Sequence, residues 1–191
     1  MRKAQTIEQR QPIVNGINVD DVKALIEAVR QDPRTGLTRW KVTSVWQGRT
    51  HIRAAIGPCH IGEKAVKRPF AIDIDEPAEL GGGNAYPNPQ EHLIAALNAC
   101  MMVGYVTLCA LQGIDLEKLE IQTEGDIDLR GFLGLDDTIP AGYKSLKYRV
   151  TIKGNASEEQ FAKIHEMVMA TSPNYYNITR SVALKPTLVV E

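Results

Sequence analysis

Apolar residues recur every three or four positions in some stretches of this chain and alternate with polar ones in others. Val22, Leu25, Ile26 and Val29 follow Asp20 and Asp21 at helical spacing, and Pro33 with Gly36 ends that helix. TRWKVTSVW then alternates as a strand does, with Trp40, Val42, Ser44 and Trp46 on one face. Gln47, Gly48, Arg49 and Thr50 make a turn, and HIRAAIG returns as the second arm of a hairpin. A third strand pair is expected around His60 to Glu63 and Phe70 to Ile74. After the next helix, LEKLEIQTEGDIDL alternates as a sheet with one wet face, GFLGLDDTIPAGY reads as a loop, and SLKYRVTIKG as a strand. Ser157 caps a helix that carries Phe161, Ile164 and Val168 on one face. Ser172 and Pro173 close it, and VALKPTLVV reads as a final strand.

The longest periodic stretch lies between these sheets. DEPAELGGGNAYPNP is an irregular loop, and Gly81 to Gly83 permit backbone angles that other residues avoid. Asn88 is placed to cap a helix with Pro89 at its first position, and the helix stops at Gly113. About 24 residues rising 1.5 Å each span roughly 36 Å, the width of a small domain, so this helix should be a central spine. Residues 93 to 111 carry no formal charge, near the length of a membrane span. Asn98, the small residues Ala95, Ala96, Ala99 and Gly104, and the flanking strands favour a fully buried helix of a soluble domain. Strands grouped around two helices make the fold class α+β, with antiparallel or mixed sheets packed around the long helix.

Composition narrows the function classes. The chain has 191 residues, 43% hydrophobic and 24% charged, enough for one domain with a short extension. Residues 1–36 read as an N-terminal extension with one helix, and 37–191 as the main domain. A net charge of -1 with no basic stripe gives no support for nucleic-acid binding. The polar start MRKAQTIEQRQPIVNG lacks an apolar signal-peptide core, so a cytoplasmic protein is expected. Cys59, Cys100 and Cys109 are odd in number and lack metal-ligand spacing, which fits a reducing compartment. No cofactor or metal is expected.

Cys100 lies near the middle of the spine helix, in Leu97-Asn98-Ala99-Cys100-Met101-Met102. Taken alone, such a cysteine is more often a buried inert thiol than a reactive one. The preceding stretch, LGGGNAYPNPQEHLIAALNAC, resembles the signature of the OsmC/Ohr superfamily. Leu80, Gly81, Gly82, Asn88, Pro89, Ala95, Ala96 and Cys100 carry the resemblance, and the order of elements extends it from about Thr38 to Glu191.

The resemblance implies an intertwined homodimer with a long helix from each chain at its centre and two sites at the interface. It implies that Cys100 is a peroxidatic thiol, attacking a hydroperoxide and becoming a sulfenic acid that a second thiol recycles. It further implies an arginine that stabilises the thiolate, matched by Arg49 in the Gly48-Arg49 turn, with Arg53 as substitute. An acidic residue holding that arginine would be Glu91, one place after Gln90, where Ohr-type members carry glutamate. Glu91 and Cys100 are nine residues apart, about 13.5 Å along one helix and half a turn out of phase, so they cannot touch within it. Glu91 would act through Arg49 or from the other subunit; a helix N-terminal acid favoured by the macrodipole is the alternative.

A larger departure lies at the expected resolving cysteine, where this chain has Ser172-Pro173. Cys109 is nine residues from Cys100 on the opposite helix face and cannot bridge to it. Cys59 could approach only through tertiary folding. His51, His60, His92 and His165 are read as structural or surface residues, and His92 is two turns from Cys100.

The leading expectation is a thiol-dependent peroxidase reducing organic hydroperoxides through Cys100, recycled by an external small dithiol or lipoyl-type reductant. Leu97, Met101 and Met102 would line an apolar face, and Tyr175 with Tyr176 would lie near the site. One rival is an OsmC-like dimer that binds a small molecule or senses oxidation once. Another is a cysteine hydrolase pairing Cys100 with a distant histidine.

Overall fold

The computed structural model describes residues 12–191; the polar start of the chain, residues 1–11, lies outside these. Two compact units divide the chain, the first ending at Leu93 and the second running Ile94–Glu191.

In the first unit, β1 (Ile13–Val14) and β2 (Ile17–Asn18) form a small hairpin. Asn15 and Gly16 turn it with φ of 53° and 77°, the left-handed pair that a two-residue hairpin turn requires. Asn18 caps α1 (Val19–Gln31) by accepting from the Asp20 N–H at 3.1 Å, so the helix begins ahead of Asp20 and Asp21. A single 3₁₀ turn, Pro33–Gly36, ends it.

The strand expected over TRWKVTSVW is divided between two sheets. β3 (Thr38–Arg39) pairs with β6 (Cys59–Ile61), which also pairs with β7 (Lys64–Val66). β4 (Val42–Gly48) instead pairs with β5 (His51–Ile56), and β5 with β8 (Ala71–Ile74). The break falls at Trp40 and Lys41, where the Lys41 carbonyl is taken by the Gly57 N–H at 2.8 Å. The expected pairing of the 60–63 and 70–74 segments with each other is corrected by the same arrangement: they lie in different sheets. Little of this unit's apolar surface is covered in the chain: Val42, Val45 and Trp46 are exposed, while Val19, Ala54 and Cys59 are buried.

The spine helix α2 runs Pro89–Leu111. Beyond it the Gly113 N–H reaches the Ala110 carbonyl at 3.0 Å with φ at 69°, a left-handed stop. Leu97, Met101, Tyr105 and Cys109, four residues apart, make its buried stripe. They form one core with Ile114 and with Ile164 and Val168 of α4 (Glu158–Thr171). β9 (Leu116–Glu124) and β10 (Lys147–Gly154) form an antiparallel ribbon. The ribbon lays Leu119, Ile121, Tyr148, Val150 and Ile152 against that core, alternate residues as a half-buried sheet requires.

By length and composition α2 could also cross a membrane. In this fold its stripe is filled by the domain core, and Asn98 ties it to the ribbon. The Asn98 carboxamide donates to the Ile121 carbonyl at 3.3 Å and accepts from the Thr123 hydroxyl at 2.6 Å. The helix is not wholly buried within the chain, since Val103 is 66% exposed on the opposite side.

Three further expectations are corrected. The loop after β9 contains one helical turn, α3 (Leu129–Phe132), capped by Asp128. Ser172 closes α4 and also opens a short helix, α5 (Pro173–Thr179). Residues 181–191 form no strand in the chain, and Leu184 and Leu188 stand exposed. The class is α+β with antiparallel sheets and a long helix, as read from the sequence.

Candidate functional site

Cys100 directly precedes Met101 of the buried stripe, which places it on the flank of α2, half-buried. All three cysteines are free; Cys59 and Cys109 are 2% and 0% exposed. Burial pushes the Cys109 thiol up from its ordinary range, which makes it a poor nucleophile at neutral pH. Cys100 is therefore the accessible thiol of the three.

What faces its sulfur is Ser172, whose hydroxyl donates to Cys100 Sγ at 3.3 Å. The local sequence explains the placement. Pro173 cannot continue α4 but suits the first turn of α5, so the chain must bend at Ser172. The Ser172 N–H ends α4 on the Val168 carbonyl at 2.9 Å, and its Oγ accepts the Tyr175 N–H at 3.4 Å. The Asn174 amide donates to the Ala96 carbonyl at 2.9 Å, fixing α5 to α2 one turn before Cys100. Ser172 is 5% exposed.

An aromatic group lies in the same unit. The Tyr105 hydroxyl hydrogen-bonds His165 Nδ1, the donor depending on the histidine tautomer. Tyr148 meets Tyr175 edge-on, with ring centroids 6.5 Å apart. Burial raises both the Tyr105 and Tyr148 hydroxyls above their ordinary value, and the neighbouring Tyr175 adds to the effect on Tyr148. Both stay neutral at physiological pH. Leu97 and Met101, expected to line a substrate face, belong to the packed core, while Tyr175 is half-buried and Tyr176 exposed.

The first unit holds the other expected residues. Gly48 and Arg49 turn the β4–β5 hairpin with φ of 112° and 48°. The Arg49 carbonyl accepts from Trp46 Nε1 at 2.7 Å, and among the described residues the Arg49 guanidinium has no hydrogen-bond or ion-pair partner. Arg53 is committed elsewhere: it pairs with Asp73 at 2.7 Å, and His51 meets the other oxygen of Asp73 at 3.0 Å. His51 also stacks on Tyr86, ring centroids 5.0 Å apart.

Asp75 organises this region. Its buried carboxylate accepts from the Thr50 hydroxyl at 2.6 Å, the Gly83 N–H at 3.0 Å and the Ala85 N–H at 3.1 Å. The Thr50 bond, then the Ala85 bond, hold its pKa down at about 2 against the opposing effect of burial. One carboxylate thus links the Arg49 turn to the triple-glycine loop. The loop also shows why glycine is needed: a Cβ on Gly82 would stand 1.7 Å from the Glu76 carbonyl oxygen.

Asn88 and Glu91 form a reciprocal cap at the start of α2. The Glu91 N–H donates to Asn88 Oδ1 at 2.8 Å, and the Asn88 N–H to Glu91 Oε2 at 2.7 Å. Among the described residues Glu91 makes no ion pair with Arg49, and Gln90 is exposed. The His92 ring meets the Asn88 carbonyl at 3.0 Å, and no histidine among the described residues hydrogen-bonds Cys100. No cluster of histidine, cysteine, aspartate or glutamate among those residues could hold a metal ion.

Sequence reasoning missed Asp75, the Ser172–Cys100 bond and the Tyr105–His165 pair. The alternation of IDID hints at the first, because it puts Asp73 and Asp75 on one strand face.

The family model for OsmC-like proteins matches residues 81–187, more than half of the chain, including the glycine loop, Cys100 and Ser172. Solved structures share the fold at low identity. An OsmC-like protein from Mycoplasma pneumoniae is 16% identical with a TM-score of 0.58, over 75% of this chain and 89% of its own. An OsmC-like protein of unknown function from Vibrio cholerae is 13% identical with a TM-score of 0.54, over 73% and 92%. An organic hydroperoxide resistance protein from Elizabethkingia anophelis is 18% identical with a TM-score of 0.50, over 76% and 90%. No curated protein matches the chain. With the family model spanning both the glycine loop and the half-buried thiol, the chain belongs to the OsmC-like family.

Proposed function

We propose that the protein is a thiol-dependent peroxidase that reduces organic hydroperoxides at Cys100. The observation that carries this reading is that Cys100 alone of the three thiols is accessible, within the segment that matches the family. The hydroperoxide resistance protein among its structural neighbours supports a peroxidase-like or redox role.

In the proposed cycle the Cys100 thiolate attacks one peroxide oxygen. The O–O bond breaks, the alkoxide leaves and takes a proton to become the alcohol, and the sulfur is oxidised to a sulfenic acid. An external dithiol condenses with it, releasing water and forming a mixed disulfide. The second thiol of that reductant displaces Cys100 and leaves as a disulfide. The external reductant is required because Ser172 occupies the position where an internal thiol would stand. Small dithiols or lipoyl-type thiols are the proposed class.

Arg49 is proposed to stabilise the thiolate, supported by its unpaired guanidinium among the described residues, whereas Arg53 is already paired. Glu91 is proposed to orient that arginine in the assembled protein, where its capping role would be shared. Leu97 and Met101 would back the site and Tyr175 flank it. A homodimer is proposed, supported by the exposure of the large apolar side chains Val45, Trp46, Val103 and Leu188 in the single chain. The proposed place of action is the cytoplasm.

Dithiol-dependent consumption of cumene hydroperoxide, lost in Cys100→Ser, tests the reading. A second reading, a dimer oxidised once without turnover, is favoured only by the serine at position 172. It predicts stoichiometric oxidation that dithiols do not accelerate.

A further inference from the structure

Ser172 is more than an empty substitute for a thiol. Its backbone N–H is spent on Val168, and one lone pair of its Oγ is taken by the Tyr175 N–H. The hydroxyl has a single proton to give, and the Cys100 sulfur lies 3.3 Å away, within hydrogen-bond reach. A thiol could accept or donate in such a pair, but a thiolate can only accept. The hydroxyl is thus placed to donate to the sulfur once the sulfur has lost its proton. The same bond fixes the sulfur in place, because Ser172 is held at both helix ends and buried.

We propose that Ser172 is a positioning residue for the reactive sulfur, donating its hydroxyl proton to the Cys100 thiolate and holding it for attack. The proposal rests on the reading of Cys100 as the residue that reacts. The position that would hold a second thiol in a two-cysteine site instead tunes the first. This chain would then be a one-cysteine site with its own built-in donor, dependent on outside thiols only for recycling.

The test is the pH dependence of Cys100 alkylation by iodoacetamide in the full-length protein, followed residue by residue by mass spectrometry. No peroxide is involved, so the outcome is independent of whether the protein turns over hydroperoxides. Two variants separate the hydroxyl from the helix cap. Ser172→Ala removes both, whereas Ser172→Gly removes the hydroxyl but leaves a residue that starts helices almost as well. Both variants should slow Cys100 alkylation at pH 7 by about tenfold, the scale of one hydrogen bond to a charged group. The limiting rate at high pH should stay within about twofold, because the thiolate is the same nucleophile once formed. Coincident profiles in wild type and Ser172→Gly would overturn the proposal, as would a shift in Ser172→Ala alone, which would trace to the lost cap. No alkylation of Cys100 in the folded wild type at any pH would overturn it too.

Discussion

Thr50 donates its hydroxyl to Asp75 across 2.6 Å, and this one bond ties the turn that carries Arg49 to the loop that leads into the spine helix. The pairing of Ile52 with Ile74 already brings the two segments side by side, and the bond fixes them just beyond the ends of β5 and β8. With the Gly83 and Ala85 N–H groups on the same carboxylate, Asp75 acts as a buried anion that fixes three pieces of backbone and side chain together.

Asp75 therefore couples stability to pH. Its carboxyl is held at about 2, below its ordinary value, first by Thr50 and then by Ala85. A depressed carboxylate stabilises the fold above about pH 4 and loses that contribution as pH falls toward 2. Asp128, also held at about 2 by Arg130, acts over the same window, so wild type should lose stability there in more than one contribution. Asp75→Asn should have a lower melting temperature at pH 7 and a shallower loss between about pH 4 and pH 2. Thermal melts across pH check this, and an acid limb as steep as wild type would count against it.

The glycine loop makes a sharper prediction because neighbouring glycines differ in what constrains them. A Cβ on Gly82 meets the Glu76 carbonyl oxygen at 1.7 Å, so Gly82→Ala must displace backbone and should cost more than about 3 kcal/mol or prevent folding. Gly81 has φ of 84° with open space around it, so Gly81→Ala should cost only about 1 to 2 kcal/mol. Urea unfolding of the pair gives the comparison, and equal costs would contradict the loop geometry.

Ser172→Cys places a second sulfur opposite the first. Ser172 Oγ is 3.3 Å from Cys100 Sγ, so a small movement brings two sulfurs to a bonding distance of about 2.05 Å. Exposure to one equivalent of cumene hydroperoxide should produce a Cys100–position 172 disulfide, seen as a loss of two hydrogens in the linked peptides. Persistent sulfenic or sulfinic acid at Cys100 in that variant would show that the sulfur turns away from α5 when oxidised.

The Tyr105–His165 pair is expected to contribute to stability and not to reactivity. Tyr105→Phe leaves His165 Nδ1 without its buried partner and should cost about 1 to 2 kcal/mol. Denaturant unfolding measures the loss, while the Cys100 alkylation profile should stay that of wild type. A changed profile would bring the pair into the site.

How much of this was legible depends on whether the signal was local. The spine helix, its Asn88 cap and its stop at Gly113 follow from residues a few positions apart, and they appear as expected. The Gly48-Arg49 turn was legible for the same reason. The split of TRWKVTSVW between two sheets was not, because strand alternation is blind to which partner each half pairs with. Neither was the absence of a strand at 181–191: β-favouring residues make a strand only when another strand pairs with them, and among the described residues none does. Glu91 was visible as a first-turn acid, and its carboxylate sits in the cap that such a position favours. Ser172 could be aligned with an expected cysteine, but its bond to Cys100 joins residues 72 apart and no local pattern encodes it.

The most direct measurement is peroxide loss by the reduced protein with and without dithiothreitol or dihydrolipoamide, with the oxidation state of each cysteine followed by mass spectrometry. The account predicts many turnovers that need the dithiol, oxidation confined to Cys100, and complete loss in Cys100→Ser. If Cys100 stays reduced while Cys59 or Cys109 is oxidised, the assignment of the reactive residue is contradicted and only the fold and family remain.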